Sequence, residues 1–312
     1  MTLSLLSGTA HPVLAEAVAA QLAVPLVGCE IVRFPDGEIH VEAVNSVRGA
    51  DMYILQPTSP PADPHLLELL LLADACRRAG ARSLTAVMPY FGYARQDRRA
   101  RGREAVAARL VADLIQVSGV QRIVAVDIHT PTFEGFVSIP LEHLSAIPLL
   151  IKAVRPLCRD DATIVAPDLG ATRLAERYGE ALGLPIAIVH KTRVSGEEVR
   201  VSRITGDVRA RSPVIVDDMI STGGTIEAAY HALLEAGCRP ELVVVATHGL
   251  LVGKAIGRLQ ALPLRRLILS DSVPLPDDTA LPLQVVGLCH ILSDAIRRLH
   301  EQRSLTDLIE RG

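Results

Sequence analysis

The stretch Val214–Thr225, VIVDDMISTGGT, decides how the chain reads. A hydrophobic run delivers two adjacent acids, Asp217 and Asp218. A short turn follows, and Ser-Thr-Gly-Gly-Thr opens a helix. Glycines let the backbone approach an anion, exposed N–H groups and the helix N-terminus supply partial positive charge, and the hydroxyls donate. Two carboxylates would repel a phosphate held there, so they suit ribose hydroxyls or a metal bridging to the substrate. The residues therefore describe a site for a sugar phosphate with a free diol. TGGT alone would mean no more than an N-capped helix after a surface turn. The full order of strand, acid pair, turn, STGGT and helix carries the stronger reading. No Gly-Lys-Thr/Ser follows, which excludes a Walker-type loop.

Outward from this stretch, strand-like and helix-like segments alternate. Apolar runs at Leu3–Leu6, Met52–Gln56, Leu84–Pro89, Arg122–Val126, Thr163–Ala166, Ile186–Val189, Val214–Val216, Leu242–Ala246, Arg266–Leu269 and Gln284–Val286 read as strands. Most are continuous, as in strands covered on both faces. Helical patterns cover His11–Leu22, Leu66–Ala79, Glu104–Val117, Ala171–Leu182, Thr225–Ala236, Lys254–Leu262 and Ile291–Arg303, and Gly80, Gly119, Gly183 and Gly237 mark helix ends. Such alternation implies parallel sheets with crossover helices, an α/β protein. RIVAVDIHT in the first half and LVVVATHGL in the second suggest two related units, with a boundary near residues 138–148, where Pro140 and Pro148 fall.

The chain has 312 residues, of which 49% are hydrophobic and 21% charged, enough for two buried cores. Net charge is −3, so the protein is not a polycation that coats nucleic acid. Mean hydropathy is +0.30, yet the longest apolar stretch, Leu66–Ala75, is interrupted by Glu68 and Asp74. MTLSLLSGTAHP has no basic segment and no apolar stretch behind it, so no secretory signal is expected. Five scattered cysteines without a C-x-x-C pair exclude a disulfide framework or a cysteine-rich zinc site. The expectation is a cytoplasmic enzyme with no nucleic acid or membrane partner. Of 32 basic residues only Lys152, Lys191 and Lys254 are lysines, which draws attention to any lysine in a polar segment.

VIVDDMISTGGT resembles the phosphoribosyl-diphosphate-binding motif of the phosphoribosyltransferase-like fold. RFPDGEIHV (Arg33–Val41), YFGYARQDRR (Tyr90–Arg99) and VDIHTPTFEGF (Val126–Phe136) in turn resemble the ribose-phosphate diphosphokinase family, nearly end to end and in order. The resemblance implies two phosphoribosyltransferase-like domains, each a mainly parallel sheet flanked by helices. Residues 1–143 would carry the ATP motifs, 144–290 the ribose 5-phosphate site and catalytic loop, and 291–312 a helix packing on the first domain. The implied reaction moves a diphosphate from ATP to O1 of ribose 5-phosphate and releases AMP, with Mg2+ as cofactor and a homo-oligomer as the working form.

Residue roles combine local chemistry with that resemblance. In RFPDGE, Phe34 offers a stacking face, and Asp36 and Glu38, around Gly37, can accept from an exocyclic amine. The plainer account of the segment is a hairpin turn. Arg95 and Gln96 match ATP contacts, with Arg95 able to clamp a phosphate bidentately. The resemblance makes His129 and Asp168 the magnesium ligands; Asp168 ends a strand where open α/β sheets bind ligands. His248 is read as structural. Lys191 and Arg193, two apart in HKTRVSGEEVRV, correspond to the Lys-x-Arg of the family's catalytic loop, which neutralises charge at the β-phosphorus. Asp217 and Asp218 would hold the ribose hydroxyls, and Ser221, Thr222, Gly223, Gly224 and Thr225 the 5-phosphate.

Three departures stand out. Ser221 replaces the aspartate that usually precedes TGGT, ARGREAVAARL is short after YARQDRR, and Ala171 stands where a second glycine is frequent. The second, with HKTRVSGEEVRV, resembles the archaeal-type branch. A phosphoribosyltransferase would share VDDMISTGGT but needs neither RFPDGE nor YARQD. A catalytically dead regulatory paralogue would have lost Lys191, Arg193, His129 or Asp168, all of which are present.

Overall fold

Continuous apolar runs become central parallel strands. The computed structural model describes residues 2–99, 101–193, 199–276 and 279–309, apart from the side chains of Pro131 and of residues 191–193 and 199–202. In chain order the elements begin with β1 (Leu3–Ser7), α1 (Pro12–Leu22), β2 (Cys29–Arg33), β3 (Ile39–Ala43), β4 (Asp51–Leu55), α2 (Ala62–Arg78) and β5 (Ser83–Met88). Next come α3 (Ala107–Val117), β6 (Arg122–Val126), β7 (Leu141–Leu144), α4 (Ile147–Val154), β8 (Ala162–Ala166), α5 (Thr172–Leu182) and β9 (Ile186–Arg193). The last are β10 (Val199–Thr205), β11 (Ser212–Ile220), α6 (Gly224–Glu235), β12 (Leu242–Gly249), α7 (Ala255–Gln260), β13 (Leu264–Ser270), β14 (Leu283–Val286) and α8 (Cys289–His300).

Two compact units divide the chain. The first comprises residues 1–145, 272–274 and 288–312, and the second 146–271 and 275–287. In the first unit, five parallel strands run in the order β1-β4-β5-β6-β7, and β2 and β3 form a separate antiparallel hairpin. Every residue of β4 is buried, and Leu6, Met52, Ile54, Leu69, Leu72, Met88, Ile115 and Ile123 share its core. Helix α8 lies on α1: Arg297 Nη2 donates to the Gln21 carbonyl at 2.9 Å.

The second unit has seven strands in the order β10-β9-β8-β11-β12-β13-β14. Strands β8 and β12 are buried throughout, and Ile215, Val244, Leu267, Tyr230 and Leu233 belong to one core. Truncating one of these Leu or Ile side chains to Ala costs about 2–5 kcal/mol by the usual behaviour of close-packed cores. From β8 the chain continues outward through β9 on one side. On its other side β8 pairs with β11, from which the sheet runs on through β12, β13 and β14. The strand order therefore reverses between β8 and β11.

The α/β class and mainly parallel sheets are those expected. Gly80, Gly119, Gly183 and Gly237 all take positive φ at helix ends. Several elements differ. The boundary segment holds β7, and Pro148 opens α4 in its first turn, where a missing N–H costs nothing. Strand β11 runs on through the acid pair to Ile220, because β12 continues to pair with it as far as Gly249. Strand β9 extends to Arg193 and pairs antiparallel with β10.

Candidate functional site

The strand order of the second unit reverses at β8 and β11, and the carboxyl ends of the strands at such a reversal are the position at which open α/β sheets take ligands. On the β8 side, pairing with β11 stops at Val165–Ile215. Beyond it lie Asp168, after β8, and Asp217 and Asp218, on β11, all half-buried. Asp168 caps the 3-10 turn Leu169–Ala171 by accepting from the Gly170 amide at 2.9 Å and the Ala171 amide at 3.3 Å. The Asp218 amide donates to Asp217 Oδ1 at 2.9 Å. Burial foremost, then the Asp218 carboxylate, then the charge of Asp168, push the Asp217 carboxyl well above the usual range. A raised Asp217 beside the Asp218 and Asp168 carboxylates suits hydroxyl donors or a cation and disfavours an anion.

The loop Ser221–Thr225, expected to cradle an anion, follows directly. Gly223 caps α6 in the left-handed region, with φ +76°, and Gly224 begins the helix. Four successive carbonyls of this loop are engaged from within. The Ile220 carbonyl accepts from Leu251 N at 3.1 Å, that of Ser221 from Val252 N at 2.9 Å, that of Thr222 from Arg258 Nη1 at 3.0 Å, and that of Gly223 from Glu227 N at 3.0 Å. Their negative ends are thereby directed inward, while the start of α6 offers its amides and dipole. Thr222 is exposed and Ser221, Gly224 and Thr225 half-buried, so a ligand can reach the loop.

In the first unit, RFPDGE forms the tip of the β2–β3 hairpin. Gly37 takes φ +95°, Phe34 N–H donates to the Glu38 carbonyl at 2.8 Å, and Asp36 Oδ1 accepts from the Glu38 amide at 3.1 Å. Phe34 is 45% exposed, with its ring centroid 5.9 Å from that of His40. An aromatic ring left open on a polar hairpin is a stacking surface. Arg95 and Gln96 are exposed in the turn after β5. The Gln96 amide donates to the Tyr93 carbonyl at 2.9 Å, and the Gln96 carbonyl accepts from Ala108 N at 3.2 Å. His129 is exposed after β6, whereas His248 is buried within β12. The side chains of Lys191 and Arg193 lie outside the described residues; their backbone ends β9, opposite Val201 and Val199 of β10.

Known proteins match this arrangement over the whole chain. The family described as the N-terminal domain of ribose phosphate pyrophosphokinase matches residues 3–119, and the phosphoribosyl synthetase-associated domain matches 197–310. The ribose-phosphate pyrophosphokinase of Streptomyces coelicolor is 42% identical over 308 residues, 97% of this chain and 95% of that protein. That of Oceanobacillus iheyensis is 37% identical over 310 residues, 99% and 98% of the two chains. The crystal structure of phosphoribosylpyrophosphate synthetase from Mycobacterium smegmatis superposes with a TM-score of 0.91 at 39% identity, covering 97% of this chain and all of that one. The chain belongs to the ribose-phosphate pyrophosphokinase family.

In this ribose-phosphate pyrophosphokinase, two motif positions have unusual backbone conformations, and their turns are braced by residues outside any motif. Asp127, the buried acid of VDIHT, has φ +38°, and Tyr93 of YFGYARQDRR has φ +67°. Non-glycine residues held in this region mark turns fixed by their surroundings. His143 Nε2 accepts from the Ile128 amide at 2.7 Å, and the Tyr93 hydroxyl bonds the Asp63 carboxylate. Both partners come from other segments of the unit, so a local pattern in the sequence could not point to them. Among the described residues, no three His, Cys, Asp or Glu side chains converge on one point as a closed metal cage would require. Magnesium does not need one, since it is commonly held by one or two side chains with phosphates and water completing the octahedron. No helix among the described residues is long and apolar enough to cross a membrane.

Proposed function

We infer that this ribose-phosphate pyrophosphokinase holds ribose 5-phosphate at the carboxyl ends of β8 and β11 and ATP on the β2–β3 hairpin tip and the turn after β5. The enzyme transfers the β,γ-diphosphate of ATP to O1 of the sugar. In our reading Asp217 and Asp218 accept from the ribose hydroxyls, and Ser221 to Thr225 take the 5-phosphate on amides and hydroxyls. Phe34 stacks on adenine, Asp36 and Glu38 at the Gly37 turn accept from its amine, and Arg95 and Gln96 bind the nucleotide. The observation that supports this most is the adjacency on one strand-loop-helix of an acid pair and an anion cradle, at a reversal of strand order. A pentose phosphate carries the complementary groups in that order, hydroxyls and then phosphate.

The chemistry is an in-line displacement. The 1-hydroxyl oxygen forms a bond to the β-phosphorus, the bond from that phosphorus to the α,β-bridging oxygen breaks, and AMP leaves with the bridging oxygen. The hydroxyl proton is released on the way, with no side chain assigned as its acceptor. Positioning and electrostatics carry such reactions. Lys191 and Arg193 are assigned to the charge that develops around the β-phosphorus. His129 and Asp168 are assigned to Mg2+, which when bound neutralises the polyphosphate. Half-exposed Phe34, on a hairpin tip, suits a nucleotide shared with a second copy of the chain, so the reading includes a homo-oligomer, and five free cysteines suit the cytoplasm.

Incubation of the purified protein with ATP, Mg2+ and ribose 5-phosphate, with AMP resolved from ADP by ion-exchange chromatography, tests the reaction. AMP and 5-phosphoribosyl 1-diphosphate are expected in equal amounts. ADP with a ribose bisphosphate would overturn the reading.

A further inference from the structure

We propose that Arg258 is a positioning residue of the sugar-phosphate cradle, setting the affinity for the 5-phosphate without touching ATP. The inference rests on the assignment of Ser221–Thr225 to that phosphate. Of the four loop carbonyls turned inward, three are held by backbone amides, and the fourth, that of Thr222, is held by the Arg258 side chain at 3.0 Å. Released from it, the Thr222 carbonyl dipole is free to swing toward the anion, where it repels instead of leaving the field to the amides.

The same guanidinium has a second task. Its Nε lies 3.2 Å from Glu227 Oε2. Glu227 stands in the first turn of α6, the end at which the anion binds. A carboxylate there competes for the helix dipole and repels a phosphate, and Arg258 cancels that charge. Both groups are about one-third exposed, so the pair is screened only in part. The fork of the guanidinium allows the two bonds at once; a single ammonium cannot reproduce both with the same geometry. Packing reinforces the placement. A Cβ on Gly224 would come 3.2 Å from Arg258 Nη1, and one on Gly223 would touch Ala255 of the same short helix at 3.5 Å.

The test compares Arg258→Ala, Arg258→Lys and the double variant Arg258→Ala/Glu227→Gln with wild type and with Thr225→Val, which alters the cradle itself. Steady-state constants for both substrates, ribose 5-phosphate binding by calorimetry without ATP, and thermal melting are measured on each. Loss of a charge-assisted hydrogen bond predicts that Arg258→Ala weakens ribose 5-phosphate binding by about tenfold or more, with the ATP KM within twofold of wild type. Arg258→Lys recovers part of this by pairing Glu227. The double variant recovers part by removing the exposed charge, even if the single variant melts lower. Wild-type affinity in Arg258→Ala, or equal losses for both substrates with no recovery in the double variant, would overturn the proposal. If Thr225→Val also leaves ribose 5-phosphate binding intact, the cradle assignment itself fails and the inference goes with it.

Discussion

The Asp218 amide donates to Asp217 Oδ1 at 2.9 Å, so the second acid of the pair steadies the first through the backbone while opposing it through charge. That opposition has a cost that depends on pH. Burial first, then Asp218 and Asp168, raise the folded-state value of Asp217 far above that of the unfolded chain. An acid raised in this way favours the folded state at low pH. The advantage is fully present below the unfolded value near 4 and disappears as pH rises through the folded value. Asp217→Asn cannot ionise. It therefore raises the melting temperature of the ligand-free protein at pH 8, by roughly 2–4 °C for each kcal/mol relieved, and leaves it unchanged near pH 3.5. The same variant loses ribose 5-phosphate binding. Differential scanning calorimetry at the two pH values checks this, and an equal shift at both would remove the electrostatic explanation.

What the sequence revealed follows from how local the information is. Continuous apolar runs such as Leu84–Pro89 and Arg122–Val126 could be read as buried parallel strands, because burial on both faces leaves no alternation to interpret. Strand β11 was legible only to Val216, since Asp217 and Asp218 look like a turn; pairing with β12 carries the strand past them. Helix α4 was hidden because Pro148 reads as a break, although proline is at home in a first turn. STGGT was visible as a cradle by residue type alone. Arg258, 36 residues beyond Thr222, was not, and neither was His143 behind Ile128, because only folding brings these partners together.

Asp168 has two tasks that substitution can separate. Its Oδ1 caps the turn after β8, accepting at 2.9 Å from Gly170 N, and its charge is the one assigned to Mg2+. Asparagine keeps an accepting oxygen and loses the charge; alanine loses both. Asp168→Asn melts no lower than wild type, whereas Asp168→Ala loses the cap, usually about 1 kcal/mol. Both raise the magnesium concentration needed for half-maximal turnover by tenfold or more. Magnesium titrations of activity alongside melting curves decide the matter: an unchanged magnesium requirement in Asp168→Asn would leave Asp168 with the cap alone.

Asp51 joins three segments of the first unit. Its carboxylate, 6% exposed, accepts from Arg82 Nε at 2.8 Å and Ser83 Oγ at 2.6 Å, and lies 3.1 Å from His300 Nδ1 at the end of α8. Burial pushes its carboxyl up, but the hydrogen bonds from Arg82 and Ser83 and the charges of Arg82 and His300 outweigh it and hold the group below the ordinary value. Stability from a lowered acid is present above pH 4 and is lost as pH falls through the folded value. Asp51→Ala lowers stability by about 1–3 kcal/mol at pH 7, the range for removing a buried, hydrogen-bonded acid whose partner is partly solvated. The difference from wild type shrinks at pH 3. Urea midpoints at both pH values measure it, and a difference independent of pH would mean that packing, not charge, holds the junction.

Lys191 is one of three lysines in an arginine-dominated chain, and it stands at the end of β9 opposite Val201. Its assigned contact is with charge that appears around the β-phosphorus only as the reaction proceeds. An interaction of that kind affects turnover and leaves ground-state binding nearly untouched. Lys191→Ala therefore loses kcat by about 10²-fold or more, the usual scale for one preorganised electrostatic group, while the ribose 5-phosphate KM stays within a few-fold of wild type. Arg193→Ala, if it also meets bound ATP, raises the ATP KM as well as lowering kcat. Rapid-quench measurement of AMP formation in a single turnover isolates the chemical step from product release. Lys191→Ala slowing that step by less than threefold would remove Lys191 from the mechanism and leave Arg193 and Mg2+ as the groups assigned to the transferred diphosphate.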